Sequence, residues 1–100
     1  MSKETIRVIA HITALPGKDE EVKSILGGLV EPTRKEAGCI QYEFLQNSTE
    51  PTDFVLLEEW ETKAALDAHS TAAHTKSAEA KVDSLIAKTP PDVRLYQVVA

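Results

Sequence analysis

Cysteine and tryptophan each occur once in this chain, as Cys39 and Trp60, and its cations are too few and too scattered to form a patch. With one thiol, neither an internal disulfide nor a thiolate metal cluster can form. Cys39, directly after Gly38 at an expected strand start, reads as an inert, half-buried side chain. No apolar run approaches the roughly 20 residues that cross a bilayer, and no basic segment precedes an apolar leader. The chain is therefore expected to be cytoplasmic, with no membrane partner. Its 11 Lys and Arg are outnumbered by 16 Asp and Glu, giving a formal charge of −5, and no aromatic platform interleaves with them. That balance speaks against a nucleic-acid partner. There is no Gly-rich phosphate loop and no G-x-S-x-G, so flavin, nicotinamide and nucleotide sites have no support. Repeats, linkers and low-complexity tracts are missing too, and residues 1–100 are read as a single domain.

What is present is hydrophobic period. Residues 5–15, TIRVIAHITAL, place Ile6, Val8, Ala10 and Ile12 on one strand face, with Ile9 on the other. PGKDE is a turn whose Asp19, Glu20 and Glu21 suit the first turn of a helix. Val22, Ile25, Leu26, Leu29, Val30 and Thr33 then recur at helical spacing and predict one amphipathic helix. Gly27 and Gly28 weaken it, Pro32 kinks its last turns, and Gly38 is expected as its C′ residue. CIQYEFLQN is a second strand with Ile40, Tyr42 and Phe44 on one face, STEPTD a hairpin turn, and FVLLEEWE a third strand apolar on both faces. Thr62 is expected to cap a short helix, KAALDAH, buried through Ala65, Leu66 and His69. A further helix restarts at Ser70 or Thr71, with His74, Ala78, Val82 and Leu85 along one stripe. TPPD stops it, and VRLYQVV makes the final strand.

This order predicts an α+β fold, the ferredoxin-like βαββαβ pattern with a split second helix and one antiparallel sheet. Right-handed crossovers place both helical units on one face of that sheet. Ile9, Val55, Leu57 and Val98 then lie on a second face that nothing in the chain covers. A homodimer packed through the sheet face is the expected partner.

The chemistry concentrates in the third strand and the helices after it. Glu58 and Trp60 share a strand face with Phe54 and Leu56, and the size of Trp60 puts that face beneath the helices. His69 points inward by its spacing from Ala65 and Leu66. A carboxylate, an indole and an imidazole thus converge on one pocket. A neutral imidazole is a general base near pH 7, and a carboxylate can orient it. The dipole of the following helix favours neutral His74. Both histidines equally suit hydrogen bonds to backbone ends between the two helices. They are five residues apart, off the i, i+4 spacing that aligns two helical ligands. No metal site is expected, although a site of both histidines with Glu58 can be drawn. Arg7 and Arg94, on strands expected to be neighbours, could hold an anion or serve the surface.

Three segments in order, LPGKDEEV, EPTRKEAGCIQYEF and FVLLEEWETKAALDAHSTAAHTK, carry a resemblance to the antibiotic biosynthesis monooxygenase (ABM) domain family over nearly the whole chain. The last is the most telling: a strand ending in E-x-W, a short Ala/Leu-rich helix closing with Ala-His, and a second histidine. The resemblance implies a dimeric α+β barrel of ferredoxin-like halves. It implies oxidation of a small aromatic quinol or phenol by molecular oxygen, with no metal, flavin or other cofactor. In that scheme His69 is the base or a substrate hydrogen-bonder, Trp60 shapes the pocket or helps hold the oxygen-bearing intermediate, and Glu58 supports them. His74, Leu56, Tyr42 and Phe44 are the expected substrate contacts. Leu56 stands where polyketide-oxidising members carry an asparagine, and Ala10 where heme-degrading members carry one, so neither anthrone nor heme chemistry is the expectation. The alternatives are a cofactor-free isomerase or degradation enzyme for a small metabolite, and a non-catalytic dimeric ligand-binding protein.

Overall fold

The computed structural model describes residues 5–100. Its elements run β1 (Ile6–Thr13), α1 (Asp19–Gly27), α2 (Val30–Arg34), β2 (Cys39–Gln46), β3 (Asp53–Trp60), α3 (Lys63–Thr71), α4 (Ala73–Val82), a 3₁₀ turn (Asp83–Leu85) and β4 (Asp92–Tyr96). The strands form one sheet in the order β2-β3-β1-β4, antiparallel at every pairing. This is the ferredoxin-like α+β fold. Register sets Val8 between Glu58 and Leu95, and Ala10 between Leu56 and Val93. Residues directly opposite one another share a face, so these belong to the face beneath the helices. Val8, Ala10, Ile12, Phe54, Leu56 and Trp60 are buried there against Val22, Leu26 and Leu29 from α1 and its exit, and Leu66, Ala78 and Val82 from α3 and α4.

Several local expectations are corrected. The first helix is two helices, broken at the glycine pair and not at Pro32: α1 ends at Gly27 and α2 starts at Val30. Pro32 sits in the first turn of α2, where its missing N–H has no intrahelical partner to lose. Gly38 is not the helix C′ residue, since α2 stops at Arg34. It occupies the third position of a turn closed by Cys39 N–H donating to Glu36 C=O (3.2 Å), with φ +85°. Ile40 does not join Tyr42, because a β-bulge between Cys39 and Gln41 puts Cys39 opposite Trp60 and leaves Ile40 exposed. The second break falls at Ala72, whose extended backbone (φ −63°, ψ 147°) ends α3 and starts α4. In α4 it is Thr75, Ala78 and Val82 that are buried, and beyond it Ile86 rather than Leu85. Val98 lies past the end of β4 and is exposed.

Thr62 caps α3 as expected, its hydroxyl accepting from Ala65 N–H at 3.1 Å. On the far side of the sheet Ile9, Val55 and Leu57 are half-buried, and no described element covers them. Arg7 pairs there with Glu59 (3.6 Å), and Arg94 is held by Asp92 (3.2 Å).

Candidate active site

A cavity of about 530 Å³ lies between the inner sheet face and the helices. Its sheet wall is Val8, Ala10, Ile12 and Leu56; Leu26, Leu29, Leu66, Val82 and Ile86 face them. From Val8 to Ile12 the strand advances about 14 Å at its usual rise, so the cavity is a slot. Thr75, Glu79, Val82 and Asp83, spaced as one face of α4 and its exit, form a side, and Thr89, Pro90, Pro91 and Val93 complete the rim. Glu58, Tyr42, His69 and Ser70 are its other polar groups, and no Lys or Arg among the described residues lines it.

Alternation along β3 places Glu58 and Trp60 on the inner face two residues apart, where the buried Trp60 Nε1–H donates to Glu58 Oε1 at 2.9 Å. Burial pushes the Glu58 carboxyl above its ordinary value. The Trp60 hydrogen bond and the nearby His69 pull it back, and Glu36 adds to the rise. Burial likewise holds the Tyr42 phenol above its usual range, reinforced by Glu58, so it stays protonated.

His69 sits near the end of α3 with its side chain 8% exposed. Its ring lies 4.8 Å from the Trp60 ring and edge-on to Tyr42 at 5.6 Å. Because the chain turns out of helical geometry at Ala72, His74 in the first turn of α4 comes back beside His69, ring centroids 6.4 Å apart. Between the two imidazoles lies Glu36, carried by the turn after α2. Its Oε2 is 3.0 Å from His69 Nδ1 and 2.5 Å from His74 Nε2. The Thr75 hydroxyl is a more distant neighbour of the same Nδ1, at 3.4 Å.

Of the residues singled out from sequence, His69, Glu58, Tyr42 and Leu56 line the cavity. Trp60 does not: it is fully buried behind them and meets the cavity through Glu58 and His69. His74 stands outside, on the far side of Glu36, a third exposed. Phe44 also stands apart, stacked on Phe54 at 5.2 Å. Sequence reasoning missed Glu36, which is 33 residues from His69 and one acid among 16. It also set metal ligation aside on helical spacing, a rule for one continuous helix that does not apply across the split expected at Ser70 or Thr71. In fact the donor atoms of Glu36, His69 and His74 lie within 4.8 Å of one another, a set that could hold a metal ion.

The family model for antibiotic biosynthesis monooxygenase matches residues 5–81, which include every residue of this cluster. The chain belongs to the antibiotic biosynthesis monooxygenase family. Among the relatives is a Bacillus subtilis protein named "putative monooxygenase YcnE", 37% identical over 84% of this chain and 87% of its own length. A Synechocystis protein, sll1783, is 34% identical over 95% of this chain, which spans 64% of that protein's length. The crystal structure of PA3566 from Pseudomonas aeruginosa superposes with a TM-score of 0.89 at 31% identity, covering 97% of this chain and 96% of that one.

Proposed function

We propose that this chain is a cofactor-independent monooxygenase oxidising an uncharged phenol or quinol with molecular oxygen, with His69 as general base. The observation that carries the reading is a shielded imidazole on the wall of a largely apolar slot that, among the described residues, no cationic side chain lines. His69 takes the phenolic proton, and the resulting electron-rich anion reduces oxygen and forms a carbon–oxygen bond to it. The proton returns to the peroxide; the C–H bond at the oxygenated carbon then breaks, its electrons form the new C=O, the O–O bond breaks, and the outer oxygen leaves with both protons as water. Substrate and O₂ thus become a quinone and one H₂O, with one oxygen atom and two hydrogens leaving as that water. The apolar walls exclude bulk water from the anion. Tyr42 and Leu56 contact the substrate, Glu58 faces it, and Trp60 holds Glu58 and His69 in place. Glu79 and Asp83, with no counter-cation among the described lining residues, disfavour a phosphorylated ligand, which argues against the isomerase alternative for such metabolites.

The functional unit is a homodimer, with a second copy covering Ile9, Val55 and Leu57 on the open sheet face. The experiment is oxygen consumption with a panel of phenols and quinols, chelator present, for the unmodified protein and His69→Ala. Uptake above autoxidation that is lost in His69→Ala is the expected result. If the unmodified protein gives none with any member of the panel, the oxygenase reading fails and a ligand-binding role takes its place.

A further inference from the structure

We propose that Glu36 is a positioning residue that fixes which nitrogen of His69 faces the substrate and stabilises that imidazole once it has accepted a proton. The inference rests on His69 acting as base.

An ionised carboxylate oxygen only accepts hydrogen bonds. Glu36 Oε2 lies at hydrogen-bond distance from His69 Nδ1 and from His74 Nε2, so both nitrogens carry hydrogen. A neutral His69 is thereby the Nδ1–H tautomer, and its lone pair is on Nε2. Among the described residues no protein group bonds Nε2, and the ring forms part of the cavity wall. The basic nitrogen is the one offered to the slot. When it takes the substrate proton, the new positive charge lies one hydrogen bond from a carboxylate that is itself only 15% exposed. Shielding from solvent strengthens that attraction. His74 holds the same oxygen from the solvent side, which keeps Glu36 aimed inward.

The backbone is built to present this carboxylate. Glu36 N–H donates to Thr33 C=O at 3.0 Å, and its own C=O closes the turn by accepting from Cys39 N–H. The same three side chains are also potential metal ligands. Two donors about 2.1 Å from a shared first-row ion lie about 3.0–3.4 Å apart, the spacing that such coordination geometries impose. The separation of 2.5 Å between Glu36 and His74 is shorter than that, and the 3.0 Å between Glu36 and His69 sits at its lower edge, so Co²⁺ binding is an arm of the test.

The test is ¹⁵N NMR of the full chain labelled at histidine, which reads the tautomer without any substrate. His69 is expected as Nδ1–H in the unmodified protein and predominantly as Nε2–H in Glu36→Ala. Exposed His11 on the outer sheet face serves as the unchanged internal control. Glu36→Gln keeps an acceptor oxygen and loses the charge. It should retain the Nδ1–H tautomer while kcat falls at least about 10-fold with KM nearly constant, as weakened general-base catalysis requires. An Nε2–H tautomer in the unmodified protein, or an unchanged tautomer in Glu36→Ala, overturns the proposal. So does saturable one-to-one Co²⁺ binding that disappears in Glu36→Ala, which reassigns the cluster to a cation. Failure of every phenol to drive oxygen uptake, with the Nδ1–H tautomer intact and dependent on Glu36, sinks only the oxygenase reading.

Discussion

Replacing Gly38 by alanine tests how the site is assembled. Gly38 has φ +85°, and a Cβ built on it would lie 2.5 Å from the Cβ of Ala65 in α3. The left-handed backbone alone costs a non-glycine residue about 1–2 kcal/mol. Carbon atoms at rest sit about 3.5–4.0 Å apart, so the added methyl must push α3 away. Overpacking of this kind costs about 1–3 kcal/mol. Reduced freedom of the unfolded chain returns at most about 1 kcal/mol. The net loss expected for Gly38→Ala is therefore about 1–5 kcal/mol, a large share of a small domain's stability. At roughly 4–8 °C per kcal/mol for a chain this size, the thermal midpoint should fall by at least about 4 °C. Circular dichroism melts and urea titrations measure it. Ala65→Gly is the partner variant: it costs about 1 kcal/mol by itself in a helix interior and opens the space that the new methyl needs. The double variant should recover the steric part of the loss and leave the backbone part, giving a favourable coupling of about 1–3 kcal/mol. Additive losses, or a Gly38→Ala cost below about 0.5 kcal/mol, would refute the close approach of turn and helix. The contact matters to the site because the turn carries Glu36 and α3 carries His69. Forcing the two apart lengthens the hydrogen bond between them.

Three more predictions follow from the cavity and the sheet. Glu58 has a folded-state pKa raised above its ordinary value of 4.5, so the native state keeps a proton that the unfolded chain releases. Stability therefore falls as pH rises from the unfolded value through the folded one, and the loss is complete above it. Glu58→Gln removes this titration and can still accept from Trp60, so it should gain on the unmodified protein between pH 4 and pH 7.5 in urea midpoints; an equal difference at both pH values contradicts the burial argument. Ala10 is a buried residue of the cavity wall, and Ala10→Phe should fill the slot while leaving His69 untouched. Binding of an apolar dye, followed through Trp60 fluorescence, should weaken at least about 10-fold, given how much of a pocket ligand is normally buried; undiminished binding would show that ligands sit elsewhere. For the homodimer, light scattering should give twice the 10.9 kDa chain mass, and Leu57→Lys should give the single chain; a monomeric unmodified protein disproves the sheet-face interface.

Much of this fold is legible because strand period reports directly which side of a sheet is buried. Val8, Ala10 and Ile12, and Phe54, Leu56, Glu58 and Trp60, are buried where alternation puts them. The pairing of Glu58 with Trp60 needs only that two residues two apart on a strand share a face. Helix ends were harder. Gly27 and Gly28 weaken a helix without saying which of them ends it, and Ala72 carries no stop signal, since alanine has the highest intrinsic helix propensity. Its extended backbone accompanies the packing of Thr75, Ala78 and Val82, a tertiary requirement that overrides local preference.

That override is also why the core of the site was out of reach. The split between His69 and His74 was expected, at Ser70 or Thr71, yet the pair was still measured against the i, i+4 rule of one helix, in which a five-residue offset turns two side chains apart. With the axis reset between them, the offset sets no limit, and both imidazoles close on one oxygen. Glu36 arrives from the turn after α2, with nothing local to distinguish it from the chain's other acids. Gly38, which the sequence offered only as a helix end, is where the structure ties this turn to the helix: its positive φ makes the turn, and the 2.5 Å that a methyl would leave to Ala65 shows α3 lying directly against it. A glycine required on both grounds between an acidic residue and a strand locates the carboxylate beside the helix that carries His69. The cluster is thus specified by backbone constraints at two breaks, Ala72 and Gly38, more than by any spacing of its own side chains.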